Sequence, residues 1–352
     1  MTTVAEVVDA VVGGDTHADT HTLQIALPSS VELSTATFPN SPSGFAAAIA
    51  WIVEHAPGPR IVVGLEGTRS YGVALERALT GAGFSVVEVE RPSKGDRRGR
   101  GKSDEVDARH AVLRVLAMDA DRLPTPRADG DREALRILLV GRRDLTTGKT
   151  AHANMLTALL RGGDDDDREL VGTWTKGRLE QITRRRVLDR HTREQAVRRA
   201  EATRLARAIL AADAELVANK KQLDRIAADL APGLVERVGI GPVSAAQALV
   251  SFSHPGRVHS EAAFAMLAGA SPLKASSGRT DRHRLNRGGD RALNRALHDI
   301  AKTRMRRDPR TIAYLERRRA EGLSDREIRR CLKRYIAREL FRTLTPTPLD
   351  NT

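Results

Sequence analysis

The sequence predicts an α/β domain on a mixed sheet, then a long helical connector, then a basic and mostly α-helical C-terminal region. Three observations carry this reading. Short apolar, β-branched runs alternate with turn residues between Val4 and Val89. A helical period without proline holds from Arg178 to Leu230. The formal charge of +13 is concentrated: the 64 residues Arg279–Arg342 carry 21 basic and 9 acidic side chains, against 37 and 36 elsewhere. Such a gradient marks one end of the chain as the partner of a polyanion.

The elements follow in order. Val4–Asp15 is apolar, ends in Gly13-Gly14-Asp15 and predicts a buried strand with an acid at its tip. His21–Leu27 and Val31–Phe38 flank a Pro28-Ser29-Ser30 turn and predict two further strands. Phe45, Ile49, Ile52 and Val53 share one face of a helix over Ser43–His55. Ile61–Glu66 is another apolar run ending in an acid; Ser70–Thr80 reads as helix and Phe84–Val89 as strand. Beyond the basic, Gly-rich Pro92–Lys102, Ser103 caps a helix opening Asp104-Glu105-Val106-Asp107. Three strands, helix, strand, helix, strand, helix is the order of a ribonuclease-H-like fold.

Acids fall at functional places in that order: Asp15 at the end of the first strand, Glu66 at the end of the fourth, Asp104 and Asp107 on one face of the later helix. Four carboxylates on neighbouring tips repel unless divalent cations lie between them. Oxygen ligands select Mg²⁺ or Mn²⁺, and a metal pair can hold both oxygens of a phosphodiester displacement. Each acid also has an ordinary role: a turn residue, a surface charge, a first-turn partner of the helix dipole. His17 and His21 read as surface or core residues, with no zinc set among the ten histidines.

Arg132–Leu160 predicts one long helix, and Asp164–Asp167 a solvated hinge without the alternating spacing of a calcium loop. Ala202, Ile209, Leu216, Leu223 and Leu230 recur every seven residues, with Leu205, Ala212, Asn219 and Ile226 three further on. That is a coiled-coil seam suited to self-association, although a helix packing on its own chain explains it as well. Further on, Val238-Gly239-Ile240-Gly241-Pro242 predicts a turn before a helix, whose free N–H groups suit a phosphate; such turns also simply start helices. Arg282, Arg284 and Arg287 cluster beyond Ser276-Ser277-Gly278-Arg279, and Gly288-Gly289 precedes a helix with Arg291, Arg295 and Lys302. Ile312–Leu344 reads as helical with a basic face around Arg326, Arg329, Arg330, Lys333 and Arg334. Lys102, Arg279, Arg282, Arg284, Arg287 and Arg291 are the candidate nucleic-acid contacts, and a surface of this kind binds phosphates with a steep salt dependence.

Several classes are excluded. The longest apolar run, Ala46–Val53, is far short of the roughly 20 residues of a membrane helix. The first ten residues lack the basic region of a secretory signal, so a soluble, cytoplasmic protein is expected. One cysteine, Cys331, permits neither an internal disulfide nor a cysteine-rich zinc site. Two Trp, three Tyr and six Phe are too few for base-stacking platforms.

Taken together, Gly14-Asp15-Thr16-His17, Gly64-Leu65-Glu66-Gly67-Thr68 and Lys102-Ser103-Asp104-Glu105-Val106-Asp107-Ala108 resemble the DEDD motifs of the Piv-like insertion-sequence transposases. These form the insertion sequence one-ten group, also called bridge-RNA-guided serine recombinases. Val238–Pro242, Phe264–Gly269, Ser276–Gly278 and Arg284–Asp290 match the same family in order, so the resemblance runs from about Val11 to about Leu344.

The resemblance implies a RuvC-like domain (8–128), a coiled-coil connector (129–232) and a transposase domain (233–345). It implies Mg²⁺ (or Mn²⁺) held by Asp15, Glu66, Asp104 and Asp107. It makes Ser277, directly before Gly278, the nucleophile that forms a phosphoserine link to DNA, with Ser276 adjacent. It further implies target and donor DNA, a noncoding bridge RNA, homodimers or homotetramers, and a bacterial, nucleoid-associated setting. Gly14 and Gly67 depart from the residues common in relatives, and neither removes a ligand. Two other readings stand beside it: a metal-dependent nuclease of the Holliday-junction-resolvase kind, and a non-enzymatic nucleic-acid scaffold.

Overall fold

A computed structural model describes residues 2–89, 103–124, 126, 130–253, 257–274, 283–284, 286 and 288–345. The chain divides into two compact units. One comprises the N-terminal residues up to Glu133 with Phe252–Phe264; the other comprises Ala134–Ser251 and Ala265–Pro346.

The first unit opens with a short helix, α1 (Val4–Val7), where the apolar run predicted strand; the strand proper, β1, is Ala10–Thr16. β2 (Thr20–Ala26) and β3 (Glu32–Pro39) complete an antiparallel meander. α2 (Pro42–His55) starts at Ser41, whose Oγ accepts from the Gly44 N–H. β4 (Ile61–Leu65), α3 (Val73–Gly81), β5 (Ser85–Glu88) and α4 (Asp104–Leu116) follow. The strand order is β3-β2-β1-β4-β5, with β4 parallel to β1 and β5 parallel to β4. This five-stranded mixed sheet is compatible with the predicted ribonuclease-H-like fold.

Two buried layers hold the sheet. Ala10, Val12, Leu23, Ile25, Val63 and Leu65 pack with Ala48 and Ile52 of α2 and with Leu75 and Leu79 of α3. On the opposite face Val11, Ala26, Val62 and Val87 meet Ala111, Val112 and Val115 of α4. Strand alternation explains the division: successive β1 residues serve opposite layers. Two glycines let α4 lie close against the sheet. A Cβ on Gly13 would stand 2.3 Å from the Ala108 carbonyl oxygen, and one on Gly64 would stand 2.2 Å from Val115 Cγ2.

The second unit is largely helical. α5 (Gly130–Arg161, which begins in the first unit), the single turn α6 (Asp165–Arg168) and α7 (Lys176–Arg184) precede α8 (Arg193–Leu230). The helix predicted from Arg178 to Leu230 is thus broken, because Thr192 and Gln195 form a capping box that starts α8 afresh. The heptad seam is used within the chain. Ala202, Leu205, Ala206 and Ile209 pack with Leu156 and Leu160 of α5 and with Leu179 and Ile182 of α7. Asn219 donates to the Leu138 carbonyl at 2.9 Å, Arg142 donates to the Leu216 carbonyl at 3.0 Å, and Lys149 pairs with Asp213. Asp167, expected in a solvated hinge, is buried and pairs with Arg185 at 2.5 Å.

α9 (Pro242–Phe252), α10 (Glu261–Leu267), the two-residue strands β6 (Leu273–Lys274) and β7 (His283–Arg284), α11 (Arg291–Arg307), α12 (Pro309–Ala320) and α13 (Asp325–Leu344) complete the chain. The helix predicted over Ile312–Leu344 is two helices. Gly322 at φ +87° ends the first, and a Ser324–Glu327 capping box begins the second. Among the described residues no helix is long and apolar enough to cross a membrane.

Candidate metal centre and basic helices

β1 delivers the first acid. Its pairing with β4 continues past the strand ends, the Glu66 N–H donating to the Gly14 carbonyl at 3.0 Å, so Asp15 and Glu66 leave adjacent tips. Thr16 reinforces this link by donating its hydroxyl to the Glu66 carbonyl at 2.8 Å. Gly67, next in the chain, has φ +67°, and a Cβ there would lie 2.7 Å from Thr16 Oγ1. A side chain at that position would be strained and would press on the contact that holds the two tips together.

α4 delivers the other two acids. Ser103 caps it as predicted, its Oγ accepting from the Val106 N–H at 3.3 Å. Asp104 and Asp107 lie one turn apart, and Asp107 is buried while Asp104 is exposed. The close seating of α4 on Gly13 places this turn over the end of β1.

The resulting geometry centres on a residue that sequence reasoning set aside. His17 Nε2 lies 3.0 Å from Asp15 Oδ2 and 3.3 Å from Asp104 Oδ1. One ligand atom from each of Asp15, His17 and Asp104 falls within 4.8 Å of the others. A signal for His17 was present: it stands two residues beyond Asp15, and residues at that spacing on extended chain share a face. Its backbone is fixed by donation from its N–H to the Thr20 carbonyl at 2.9 Å.

Negative charge is concentrated and partly buried at these positions. Asp15 and Glu66 expose 7 % and 3 % of their surface, and Asp107 8 %. Burial pushes the Asp15 carboxyl above its ordinary range; the nearby His17 opposes that shift, and Asp107 and Asp104 add to it. The buried Asp15, whose ligand atom converges with those of His17 and Asp104 and which Asp107 and Asp104 repel, fits a divalent cation; Glu66 and Asp107 stand outside that three-residue cluster.

The second unit presents the other chemistry. Lys102, Ser276, Ser277, Arg279, Arg282 and Arg287 lie outside the described residues. Leu273 and Lys274 pair antiparallel with Arg284 and His283, and the serines belong to the chain between these strands. Described residues before β6 and after β7 are tied together by hydrogen bonds. The Asp290 N–H donates to the Leu267 carbonyl at 2.7 Å, and Asn294 Nδ2 to the Ala268 carbonyl at 2.6 Å. Lys333 Nζ holds Asn294 Oδ1 at 2.6 Å, and Arg334 donates to Ser271 Oγ at 3.0 Å. Two members of the basic face predicted on α13 are therefore committed to positioning these residues.

Arg291 is exposed at the start of α11, which Asp290 caps. With Arg295 it lines a groove whose other wall includes Arg142 and Arg143 of α5 and Val243 and Gln247 of α9. Arg142 and Arg143 are basic residues of this groove that charge counting along the chain did not single out. The Gly-Pro turn ahead of α9 packs against α11: a Cβ on Gly239 would meet the Ile300 carbonyl oxygen at 3.0 Å, and Arg304 donates to the Val238 carbonyl at 2.7 Å. Arg304 and Arg237 both grip Glu339.

Two family models match. One, described as Transposase IS116/IS110/IS902 family, covers residues 234–316; the other, a transposase model of the DEDD type from the IS110 group, covers residues 12–163. Together they span well over half of the chain and meet it in the expected order. No curated protein matches it. The chain belongs to the IS116/IS110/IS902 transposase family and is a DNA transposase, an enzyme that moves DNA. One expectation is corrected in detail: the model over residues 12–163 names a DEDD transposase, and neither model carries the label "serine transposase".

Proposed function

We propose that, from this family membership, the enzyme cuts and rejoins DNA through a covalent serine–phosphodiester link, with the acids of the first unit holding Mg²⁺ or Mn²⁺. The observation that carries the reading is the convergence of Asp15, His17 and Asp104 on one point, beside the adjacent tip of β4 that bears Glu66. Asp15, Glu66, Asp104 and Asp107 would hold the cation, which when bound supplies charge stabilisation to a phosphodiester in displacement.

The protein's part is nucleophile and grip. Ser277 Oγ forms a bond to phosphorus as one bond from phosphorus to a sugar oxygen breaks, and the serine proton ends on the released hydroxyl. One phosphodiester replaces another, so the link can be reopened by a second DNA hydroxyl without an outside energy source. Arg291 and its neighbours on α11, with Lys102, Arg279, Arg282, Arg284 and Arg287, hold target and donor phosphates. The family resemblance extends the proposal to a noncoding bridge RNA as guide, to a coiled-coil role for the connector, and to homodimers or homotetramers.

The test is to express the gene with its native flanking DNA, sequence the RNA that copurifies, and incubate the complex with the DNA that this RNA specifies. A discrete flank-encoded RNA and a denaturant-resistant protein–DNA adduct, lost in Ser277→Ala, are expected. Free hydrolysed ends without adduct would instead fit a metal nuclease. An adduct that persists in Ser277→Ala would move the role to Ser276.

A further inference from the structure

The four acids of the proposed site are all oxygen donors, yet the tightest cluster among the described residues is not all oxygen. His17 Nε2 stands between Asp15 Oδ2 at 3.0 Å and Asp104 Oδ1 at 3.3 Å. Donor atoms on neighbouring corners of an octahedron around an ion with bonds of 2.0–2.1 Å are about 3 Å apart. Both separations have that size, and all three donor atoms fall within 4.8 Å of one another. An imidazole Nε2 carries at most one hydrogen, so it can donate to only one of two carboxylate oxygens that flank it. A shared cation in that position satisfies the nitrogen and both oxygens together.

We propose that His17 is a direct metal ligand, which makes the centre a mixed nitrogen–oxygen site that favours manganese-class divalent ions over magnesium. This rests on the reading of the acids as a cation site. Mg²⁺ prefers oxygen ligands and sheds its water reluctantly, whereas imidazole suits transition ions and carboxylate ligands suit Mn²⁺. The surroundings favour ligation. The His17 side chain is half-exposed, so an ion and its remaining waters have access, while Asp15 beside it is nearly closed off. The ring stands on backbone fixed by the turn between β1 and β2, and α4 brings Asp104 to it through the close seating on Gly13.

The decisive probe is Mn²⁺ alone, added to the untagged full-length protein and read by electron spin-echo modulation and by calorimetry. Wild type is expected to show modulation from a directly bonded ¹⁴N. In His17→Gln that modulation disappears, Mn²⁺ affinity falls roughly tenfold, and Mg²⁺ affinity falls by less than about threefold. Tight Mn²⁺ binding by wild type without ¹⁴N modulation overturns the proposal and leaves the carboxylate site standing; this needs no variant to fold. Modulation unchanged in a folded His17→Gln overturns it equally, since another histidine would then be the ligand. Failure of wild type to bind either ion removes the carboxylate site, and this inference with it.

Discussion

The two units handle charge in opposite ways. In the first, a few acids are buried at strand tips and on one helical turn, where each position is fixed by backbone pairing, a cap or the absence of a Cβ. In the second, many cations are spread along α11, α12 and α13, some exposed and some held by partners such as Glu339 and Asp325. A phosphodiester displacement needs charge at one place, so displacing one group by about 1 Å is costly. Binding a nucleic-acid backbone needs charge over a long track, so one residue more or less is a modest change. Removing single residues from each unit should therefore give unequal results.

The largest effect is expected from Asp15→Asn, which removes a buried ligand while keeping its shape. DNA cleavage should fall by at least about 100-fold in a single-turnover assay, with nucleic-acid affinity changed little. Full cleavage at limiting Mg²⁺ would take Asp15 out of the site. Next comes Gly13→Ala. Its Cβ would stand 2.3 Å from the Ala108 carbonyl oxygen and 2.5 Å from the Val112 nitrogen, both backbone atoms that do not yield easily. A loss of roughly 1–3 kcal/mol in denaturant unfolding is expected, together with reduced cation affinity as α4 shifts away from β1. Unchanged stability would show that α4 does not seat on Gly13 in solution.

The second unit should answer more gently. Arg291→Ala is expected to weaken DNA binding less than tenfold and to lower the slope of log affinity against log salt by about 1. A hundredfold loss at constant salt slope would mean that Arg291 reads a base or a reacting phosphate, and the contrast between the units would blur.

The smallest effect concerns stability. The Asp15 pKa is raised by folding, first through burial, so the folded state binds its proton more tightly than the unfolded chain does. That contribution is favourable at low pH and is lost as pH rises through the folded pKa, which makes ionised Asp15 a cost at neutral pH. Metal-free Asp15→Asn should therefore melt roughly 2 °C above wild type at pH 8, the gap closing as pH falls into the carboxylate range. A gap that widens on acidification would reverse the assigned sign.

Much of this contrast was legible in the sequence. Apolar runs of strand length gave β2 through β5 to within one residue at each end and overran the start of β1 by six, and the two runs that end in acids marked adjacent sheet tips. Ser103 announced α4. What escaped has physical reasons. Val4–Val7 is apolar enough for strand, yet it forms a helical turn whose Val4 N–H donates to the Met118 carbonyl, a partner far along the chain. Asp167 looked solvated because the run around it is acidic, and only the fold supplies Arg185. The seam with Asn219 was visible, but periodicity does not say which helix fills it; Leu138 and Arg142 of the same chain do. His17 reads from the sequence, with His21, as a surface or core residue, because the ten histidines form no zinc set. Its partners are a residue two places back and a helix reached only after the chain has crossed the sheet.

Whether these strand tips and one turn of α4 form a cation centre is decided by the melting temperature of wild type and Asp15→Asn with and without Mg²⁺ and Mn²⁺. An ion at 100 times its dissociation constant stabilises the state it binds by about 2.7 kcal/mol. Wild type should therefore gain several degrees, and Asp15→Asn almost none. Equal gains in both proteins, or none in wild type at saturating ion, would mean that these acids hold no cation.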